Sequence, residues 1–215
     1  LNFIDVYHRT GLYKPAPLPL VIGSEGAGVV EAVGPDVGDV QVGDRVVSGA
    51  GISCGRCSWC SAGRTNLCAD YRTLGLQLDG GLAELVTSPA AICRLVPQAC
   101  GDDAAAMAQP LAVALHAVSR VGVARNEAVA VIGAGGIGSF IVAAAANRAR
   151  DGRVVALDVD EDRLRGAAAL GAHETVDAGE TDLAQLLLEL TDGVGFDVVI
   201  ESSGASHAPA AATAG

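Results

Sequence analysis

The sequence predicts an α/β protein in two parts, a β-rich N-terminal domain followed by a domain built on a parallel, doubly wound sheet. Short β-forming runs separated by glycine and proline fill the chain up to about residue 120. After residue 126, apolar segments of strand length alternate with segments of helix length, which is typical of a parallel sheet. We therefore expect two domains, residues 1–122 and residues 123–215.

Composition and charge exclude several classes of protein. The 215 residues carry 14 basic and 25 acidic side chains, a formal net charge of −11, and 50% of them are hydrophobic. A chain this apolar is not intrinsically disordered. An acidic chain whose only lysine is Lys14 lacks the clustered cations that bind nucleic-acid phosphates. We expect a cytoplasmic protein, because the N-terminus lacks the basic segment of a secretory signal.

One uncharged stretch, residues 128–146, is long enough to suggest a membrane span. Four glycines interrupt it, however, and valine-rich sequence precedes them while alanine-rich sequence follows. This order favours a strand, a turn and a helix, so we expect no membrane partner.

The N-terminal part is expected to contain short strands and few helices. The predicted strands are residues 28–33, 43–47 and 82–86. Residues 104–121 are typical of a helix, which Asp102 or Asp103 can cap. Pro110 lies inside this run and is expected to break it into two helices.

The C-terminal part is expected to follow the order β-α-β-α. Its predicted strands are residues 128–132, 153–158, 174–176 and 196–201. Its predicted helices are residues 137–150, 161–170 and 181–190, the second closed by Gly171. A complete dinucleotide-binding sheet has six strands, so we expect only its first half and a truncated chain.

A glycine-rich motif joins the first strand and helix of this part. Gly133, Gly135 and Gly138 form a G-x-G-x-x-G pattern, with Gly136 and Ile137 between the last two. The first glycine permits a tight turn, the second lets the backbone approach a pyrophosphate, and the third allows close packing of helix on strand. The helix N-terminus adds free N–H groups and a positive dipole end. The motif therefore predicts a dinucleotide site.

An acidic residue at the end of the next strand indicates which dinucleotide binds. Asp158 lies 20 residues beyond Gly138, where a carboxylate accepts hydrogen bonds from ribose hydroxyls and repels a 2′-phosphate. We expect NAD(H) rather than NADP(H). The alternative is a glycine-rich packing turn with a surface aspartate.

Four cysteines lie close together in the N-terminal part. Cys54, Cys57, Cys60 and Cys68 are separated by two, two and seven residues, which suits a closed tetrahedral zinc site of the structural type. Disulfides would suit a secreted chain, and a redox C-x-x-C motif needs only one pair. Structural zinc is the favoured interpretation. Cys93 and Cys100 are expected to be ordinary thiols.

Several motifs resemble those of the zinc-containing alcohol dehydrogenases of the medium-chain dehydrogenase/reductase family. The similar segments are Gly23–Val30 (G-S-E-G-A-G-V-V), Val42–Val46 (V-G-D-R-V), Gly80–Glu84 (G-G-L-A-E) and Gln109–Ala114 (Q-P-L-A-V-A). The resemblance implies a GroES-like catalytic domain, a Rossmann domain, NAD(H), a structural zinc and hydride transfer between the nicotinamide and a small alcohol, diol or ketone. It also implies a homodimer or homotetramer. Arg163 falls where these relatives contact the ribose through a basic residue.

The catalytic zinc of these relatives lacks its usual ligands in this chain. The corresponding positions hold Asn2, Ser24 and Gln109, whose neutral groups are poor replacements for thiolate and imidazole. Only Glu25 could still coordinate a metal, and Ile4 stands where the relatives carry a proton-relaying hydroxyl. A catalytic zinc is therefore not expected.

The first residues resemble instead the zinc-independent quinone oxidoreductases of the same superfamily. The similar strip is Asn2–Tyr7 (N-F-I-D-V-Y) and Arg9–Tyr13 (R-T-G-L-Y). In that branch an asparagine and a tyrosine at these places line the nicotinamide pocket, which implies catalytic roles for Asn2 and Tyr7. The alternative is that both are core or rim residues.

Three hypotheses about function follow. The first is an NAD-linked zinc-type dehydrogenase acting on a small alcohol, diol or ketone. The second is a metal-free quinone or enone reductase, in which hydrogen bonds polarise the oxygen. The third is a fragment that binds zinc and nucleotide without turnover.

Overall fold

The fold is described from a computed structural model, which covers residues 2–13, 18–179 and 182–214. The chain divides into two compact units, Leu1–Gln109 and Pro110–Gly215. A helix, Ala108–Val121, crosses this division, so the domain boundary after residue 122 stays a prediction. None of the described helices is long and apolar enough to cross a bilayer.

The N-terminal unit consists of short strands joined by turns. Its helices are α1 (Phe3–Thr10), α2 (Ser58–Ser61) and α3 (Asp102–Ala106). Its strands are β1 (Gly26–Val29), β2 (Arg45–Ser48), β3 (Gly51–Ile52), β4 (Arg72–Thr73) and β5 (Cys93–Leu95). One antiparallel sheet has the order β1-β2-β5, with Val47 opposite both Ala27 and Arg94, and a second pairs β3 with β4.

The strand predicted at residues 82–86 is wrong. This segment is not a strand. Residues 80–82, at its beginning, nevertheless form backbone hydrogen bonds with residues 21–23. The donors are the nitrogens of Gly80, Gly81 and Leu82, and the acceptors are the carbonyls of Val21, Gly23 and Ile22 respectively. The approach is too close for a regular ladder, since a Cβ at Gly23 would lie 2.6 Å from the Leu82 nitrogen. A strand-like sequence forms a ladder only where a partner lies in register.

The break predicted at Pro110 lies three residues earlier. The chain leaves α3 at Met107, and α4 (Ala108–Val121) begins at once, so two helices form as expected. Pro110 is the third residue of α4, in the turn whose N–H groups have no intrahelical acceptor. Proline is tolerated there because it removes no helical hydrogen bond.

The C-terminal unit contains the predicted doubly wound sheet. Its strands are β6 (Ala128–Ile132), β7 (Arg153–Asp158), β8 (Glu174–Asp177) and β9 (Val198–Glu201), all parallel in the order β8-β7-β6-β9. Its remaining helices are α5 (Gly136–Arg148), α6 (Glu161–Ala169), α7 (Leu183–Glu189) and α8 (Ala208–Ala214). Residue 181, where the third helix was predicted to begin, lies outside the described residues.

Alternate residues of the central strands build two separate cores. Val129 and Val131 of β6 pack with Ile141 and Val142 of α5 on one face. Ala130 and Ile132 face the opposite side, where the packed residues are Leu183, Leu187 and Ala208 of α7 and α8. Side chains of a strand point alternately to opposite faces, so apolar residues at every position require helices on both sides. The predicted fold class is confirmed.

Candidate functional site

The glycine-rich turn lies at the carboxyl end of β6, immediately before α5. Gly133 has a φ of +88°, and a Cβ there would lie 2.6 Å from the Cα of Ser203. A Cβ at Gly138 would overlap the carbonyl oxygen of Gly133 and lie 2.8 Å from the hydroxyl of Ser202. Neither position can accept a side chain without movement of the backbone.

The other two glycines leave space on the outside of the same turn. A Cβ at Gly135 would meet only the guanidinium of Arg163, at 3.8 Å, and one at Gly136 would meet nothing within 4 Å. The first-turn N–H groups of α5, including that of Ile137, have no intrahelical acceptor by helix geometry. A phosphate group can therefore approach this backbone closely.

Asp158 joins the glycine-rich turn to the end of β7. The residue is 6% exposed, and its Oδ2 accepts a hydrogen bond from the Ala134 nitrogen at 2.7 Å. Its Oδ1 accepts from the nitrogens of Val159 (2.8 Å) and Asp160 (3.1 Å). Arg163 Nη1 lies 3.7 Å from the same Oδ1. A carboxylate has about four acceptor positions, so one remains for a ligand hydroxyl.

The loop after β9 supports the turn from the other side. Ser202 Oγ donates to the Gly133 carbonyl at 2.8 Å, and the Ser202 nitrogen donates to the Ile132 carbonyl at 2.8 Å. Glu201 Oε1 accepts from the nitrogens of Ser203 (2.7 Å) and Gly204 (3.0 Å). Sequence reasoning missed these residues because the pairing of β9 with β6, 70 residues away, brings them to the turn.

The four predicted zinc ligands come together in the N-terminal unit. The Sγ atoms of Cys54, Cys57, Cys60 and Cys68 all lie within 4.8 Å of one another. Cys57 and Cys60 are 3.5 Å apart, and Cys54 and Cys60 are 4.0 Å apart. Four sulfurs at 2.3 Å from a tetrahedral zinc would be about 3.8 Å apart. The cluster thus fits one Zn²⁺, with every coordination position filled by protein.

The environments of these thiols differ. Backbone hydrogen bonding, chiefly at Cys60, lowers the pKa of Cys57 to about 6. Burial and the sulfur of Cys57 raise the pKa of Cys60 to about 11. Hydrogen bonds from the backbone at Arg56 and Cys57 lower the pKa of Cys54. The pKa of Cys57 therefore lies well below that of Cys60, and the thiolate is the form that binds zinc.

A buried carboxylate organises the beginning of the chain. Asp5 is 1% exposed, and its Oδ2 accepts from the Asn2 nitrogen at 2.8 Å, which caps helix α1. Its Oδ1 accepts from the nitrogens of Gly23 and Ser24, each at 3.2 Å. Asp5 therefore holds the turn before Glu25 against the start of α1. Its spacing of three residues from the N-cap was the signal that could have identified it.

The side chain of Asn2 bonds to two polar side chains from distant parts of the sequence. Its Nδ2 donates to Glu25 Oε1 at 2.5 Å and to Gln109 Oε1 at 3.3 Å. All three side chains are half-buried. Burial raises the pKa of Glu25 above its ordinary value, although the hydrogen bond from Asn2 acts in the opposite direction. We name Asn2, Glu25 and Gln109 the amide–carboxyl cluster.

The predicted catalytic tyrosine is not part of this cluster. Tyr7 is 37% exposed, and its ring lies 6.2 Å from that of Phe3 and 5.8 Å from that of Tyr13. The neighbouring His8 is 4% exposed; its Nδ1 bonds to the Gly75 carbonyl at 2.9 Å, and its Nε2 has no partner among the described residues.

Comparison with known proteins identifies the family. Residues 1–98 match the family model described as alcohol dehydrogenase GroES-like domain, and residues 136–214 match that described as zinc-binding dehydrogenase. The chain belongs to the zinc-containing alcohol dehydrogenases of the medium-chain dehydrogenase/reductase family. The resemblance inferred from the sequence motifs is confirmed.

Individual relatives agree with this assignment. The sorbitol dehydrogenase of Halalkalibacterium halodurans is 38% identical over 204 residues, which are 94% of this chain and 59% of the relative. The L-threonine 3-dehydrogenase of Shewanella woodyi is 38% identical over 193 residues, 89% of this chain and 56% of the relative. The crystal structure of an NAD-dependent alcohol dehydrogenase superposes with a TM-score of 0.88 at 38% identity, covering 96% of this chain and 61% of that one. The chain thus spans about three fifths of the length of these dehydrogenases.

The family's catalytic zinc does not fit the residues of this chain. Asn2, Ser24 and Gln109 supply amides and a hydroxyl, which compete poorly for zinc with thiolate and imidazole. Both amide hydrogens of Asn2 are donated in hydrogen bonds, one to Gln109 and the other to Glu25, the only carboxylate of the cluster. Coordination by Glu25 would have to break that bond.

Proposed function

We propose that this chain is an NAD(H)-dependent oxidoreductase that transfers hydride between the nicotinamide and a small alcohol, diol or ketone. The observation that carries the proposal is the glycine-rich turn, where two glycines are sterically required and two leave space beside the N-terminus of α5. These features are what a bound pyrophosphate needs. On this proposal, Gly133, Gly135, Gly136, Ile137 and Gly138 form the cofactor turn.

The preference for NAD(H) over NADP(H) rests on Asp158. Its buried carboxylate keeps an acceptor position for a ribose hydroxyl and would repel a 2′-phosphate. Arg163, half-exposed beside it, would contact the same ribose. The similarity to a structure described as an NAD-dependent alcohol dehydrogenase supports this choice.

The cysteine cluster would hold one structural Zn²⁺. Cys54, Cys57, Cys60 and Cys68 leave no open position for substrate, so the metal would stabilise the loop rather than act as a Lewis acid. The substrate is a small molecule on this proposal, and the family resemblance favours a homo-oligomer.

A metal-free quinone or enone reductase is the second candidate. The observation that favours it is the amide–carboxyl cluster. By the sequence resemblance, two of its residues, Asn2 and Gln109, correspond to catalytic zinc ligands of the relatives. Here Asn2 and Tyr7 would line the nicotinamide pocket. Alcohols and polyols oxidised with NAD⁺ would favour the first candidate; quinones or enones reduced with NADH, with no alcohol oxidised, would favour the second.

Cofactor binding is tested by titrating NADH into the protein and following its fluorescence. Wild type should bind NADH more tightly than NADPH. Asp158→Asn should weaken NADH binding at least tenfold, since a hydrogen bond to a charged group contributes about 1.5–3 kcal/mol. The matched control is Asp162→Asn, four residues along the chain on α6, whose side chain is 82% exposed. If NADH binds no better than AMP, or if both variants behave as wild type, the proposed nucleotide site is wrong.

A further inference from the structure

The amide–carboxyl cluster leaves one acceptor and one donor unused. Asn2 donates to Oε1 of Glu25 and to Oε1 of Gln109. Among residues 2–13, 18–179 and 182–214, Glu25 Oε2 and Gln109 Nε2 have no hydrogen-bond partner. Since Glu25 and Gln109 are half-buried, a small molecule can still reach them. A carboxylate oxygen and an amide N–H₂ group held by a common neighbour are complementary to a hydroxyl group, which can donate to one and accept from the other.

We propose that Glu25 and Gln109 bind the reacting oxygen of the substrate, with Glu25 exchanging its proton in place of the family's zinc. This inference rests on the proposed NAD(H)-dependent function and deepens it. When bound, NAD⁺ would accept the hydride and NADH would donate it. In alcohol oxidation, Glu25 would take the O–H proton while the carbon–hydrogen bond breaks, its electron pair leaves as that hydride and a C=O double bond forms. In the reverse direction, protonated Glu25 would give its proton to the oxygen while the hydride adds to the carbonyl carbon.

Gln109 has the complementary task of stabilising charge on oxygen. Its Nε2 group can donate to an oxygen that becomes more negative as its proton leaves or as hydride arrives at carbon. Because Asn2 donates to Oε1 of Gln109, the Nε2 group of that amide keeps its hydrogens for another acceptor. A neutral donor replaces part of the polarisation that a metal ion gives the relatives.

Asn2 is a positioning residue on this inference. Both its amide hydrogens are engaged by Glu25 and Gln109, so none remains for substrate. Asp5 fixes Asn2 in turn, because the same buried carboxylate bonds to the Asn2 nitrogen and to the turn at Gly23 and Ser24. The backbone on both sides of the cluster is therefore set by one side chain.

The surroundings of Glu25 suit proton exchange. Burial raises its pKa, and the charge of Asp5 acts in the same direction, whereas the hydrogen bond from Asn2 lowers it. A raised carboxyl pKa brings the protonated and ionised forms closer in free energy near neutral pH, where a general acid or base is most effective.

The decisive experiment compares Glu25→Gln with Glu31→Gln, an exposed glutamate of the same unit. With the alcohol that wild type oxidises best, Glu25→Gln should lower kcat at least about 100-fold, the usual size of a lost general acid–base contribution. It should also abolish the acidic limb of the kcat pH profile. The NADH dissociation constant should not change, because Glu25 is not among the residues proposed to bind the cofactor. Glu31→Gln should match wild type.

A second variant separates positioning from folding. Asn2→Ala should lower kcat less than Glu25→Gln and shift the acidic limb upward, because it removes the hydrogen bond that lowers the Glu25 pKa. A merely structural role would change the thermal midpoint without moving that limb. If Glu25→Gln keeps both the wild-type kcat and the acidic limb, the inference is wrong, whereas the proposed function still stands.

Metal content tests the same inference without turnover. The inference requires at most one zinc per chain, removed by Cys57→Ser. A zinc that remains in Cys57→Ser and disappears on adding Glu25→Gln would place metal at the cluster and overturn the inference. A chain that binds NADH but oxidises no alcohol and reduces no carbonyl would instead overturn the proposed function, and the inference with it.

Discussion

Removing the carboxylate of Asp5 should destabilise the N-terminal unit by about 2–4 kcal/mol. Asp5→Ala leaves three N–H donors without their acceptor, and two of these belong to the buried residues Gly23 and Ser24. Each buried donor left unsatisfied costs about 1–3 kcal/mol, and relief of the buried charge offsets part of the sum. Asp5→Asn keeps an oxygen for the turn but places an N–H₂ group against the Asn2 nitrogen, so about 1–2 kcal/mol should be lost.

Urea unfolding followed by tryptophan fluorescence measures this loss in the correct unit. Trp59 is the only tryptophan of the sequence and lies in the N-terminal unit, so its fluorescence reports on the unit that contains Asp5. The control is Asp36→Ala, which removes an exposed carboxylate that has no hydrogen bond among the described residues. The urea midpoint should be highest for Asp36→Ala, lower for Asp5→Asn and lowest for Asp5→Ala. An Asp5→Ala midpoint equal to that of wild type would refute the reasoning.

Three further changes should have distinct results. Gly138→Ala should reduce the free energy of unfolding by about 1–3 kcal/mol and weaken NADH binding, because its Cβ would overlap the Gly133 carbonyl. In a calorimetric scan its thermal midpoint should fall, whereas that of the control Gly136→Ala, whose Cβ would meet nothing within 4 Å, should not change. Iodoacetamide should modify chelator-treated protein at Cys57 before Cys60, because only the thiolate reacts and the pKa of Cys57 is the lower of the two. The rate of labelling at Cys57 should fall as the pH is lowered through about 6. Peptide mass spectrometry would measure the labelling of each cysteine, and equal labelling of both would contradict this prediction. Ser202→Ala should weaken NADH binding severalfold with little effect on zinc content, because it removes the donor to the Gly133 carbonyl; unchanged binding would mean that the turn does not need this support.

The local patterns of the C-terminal unit were sufficient to predict its architecture. Each strand from β6 to β9 and each helix from α5 to α7 lies where apolar periodicity and glycine punctuation indicated. The glycine-rich turn and Asp158 were predictable because their spacing within one β-α-β unit fixes their positions. Helix α8 was not predicted, because its alanine-rich sequence is compatible with several kinds of secondary structure.

The N-terminal unit was less predictable for a physical reason. Its strands are two to four residues long, and each exists because a partner from elsewhere in the chain lies in register. Residues 82–86 have a strand-like sequence but form no ladder beside the close glycine contacts at Gly23. Helix α1 forms where the sequence suggested only a pocket-lining strip, with Asp5 capping it.

The sequence by itself determined the family motifs, the glycine-rich turn and the four cysteines, because each depends on residues close together in the chain. Only the tertiary structure decided what surrounds Asn2. Its partners are 23 and 107 residues away, and no spacing rule could pair an amide with Glu25 and Gln109. Long-range contacts of single polar groups depend on how whole elements pack, which is why the amide–carboxyl cluster became visible only in the folded chain.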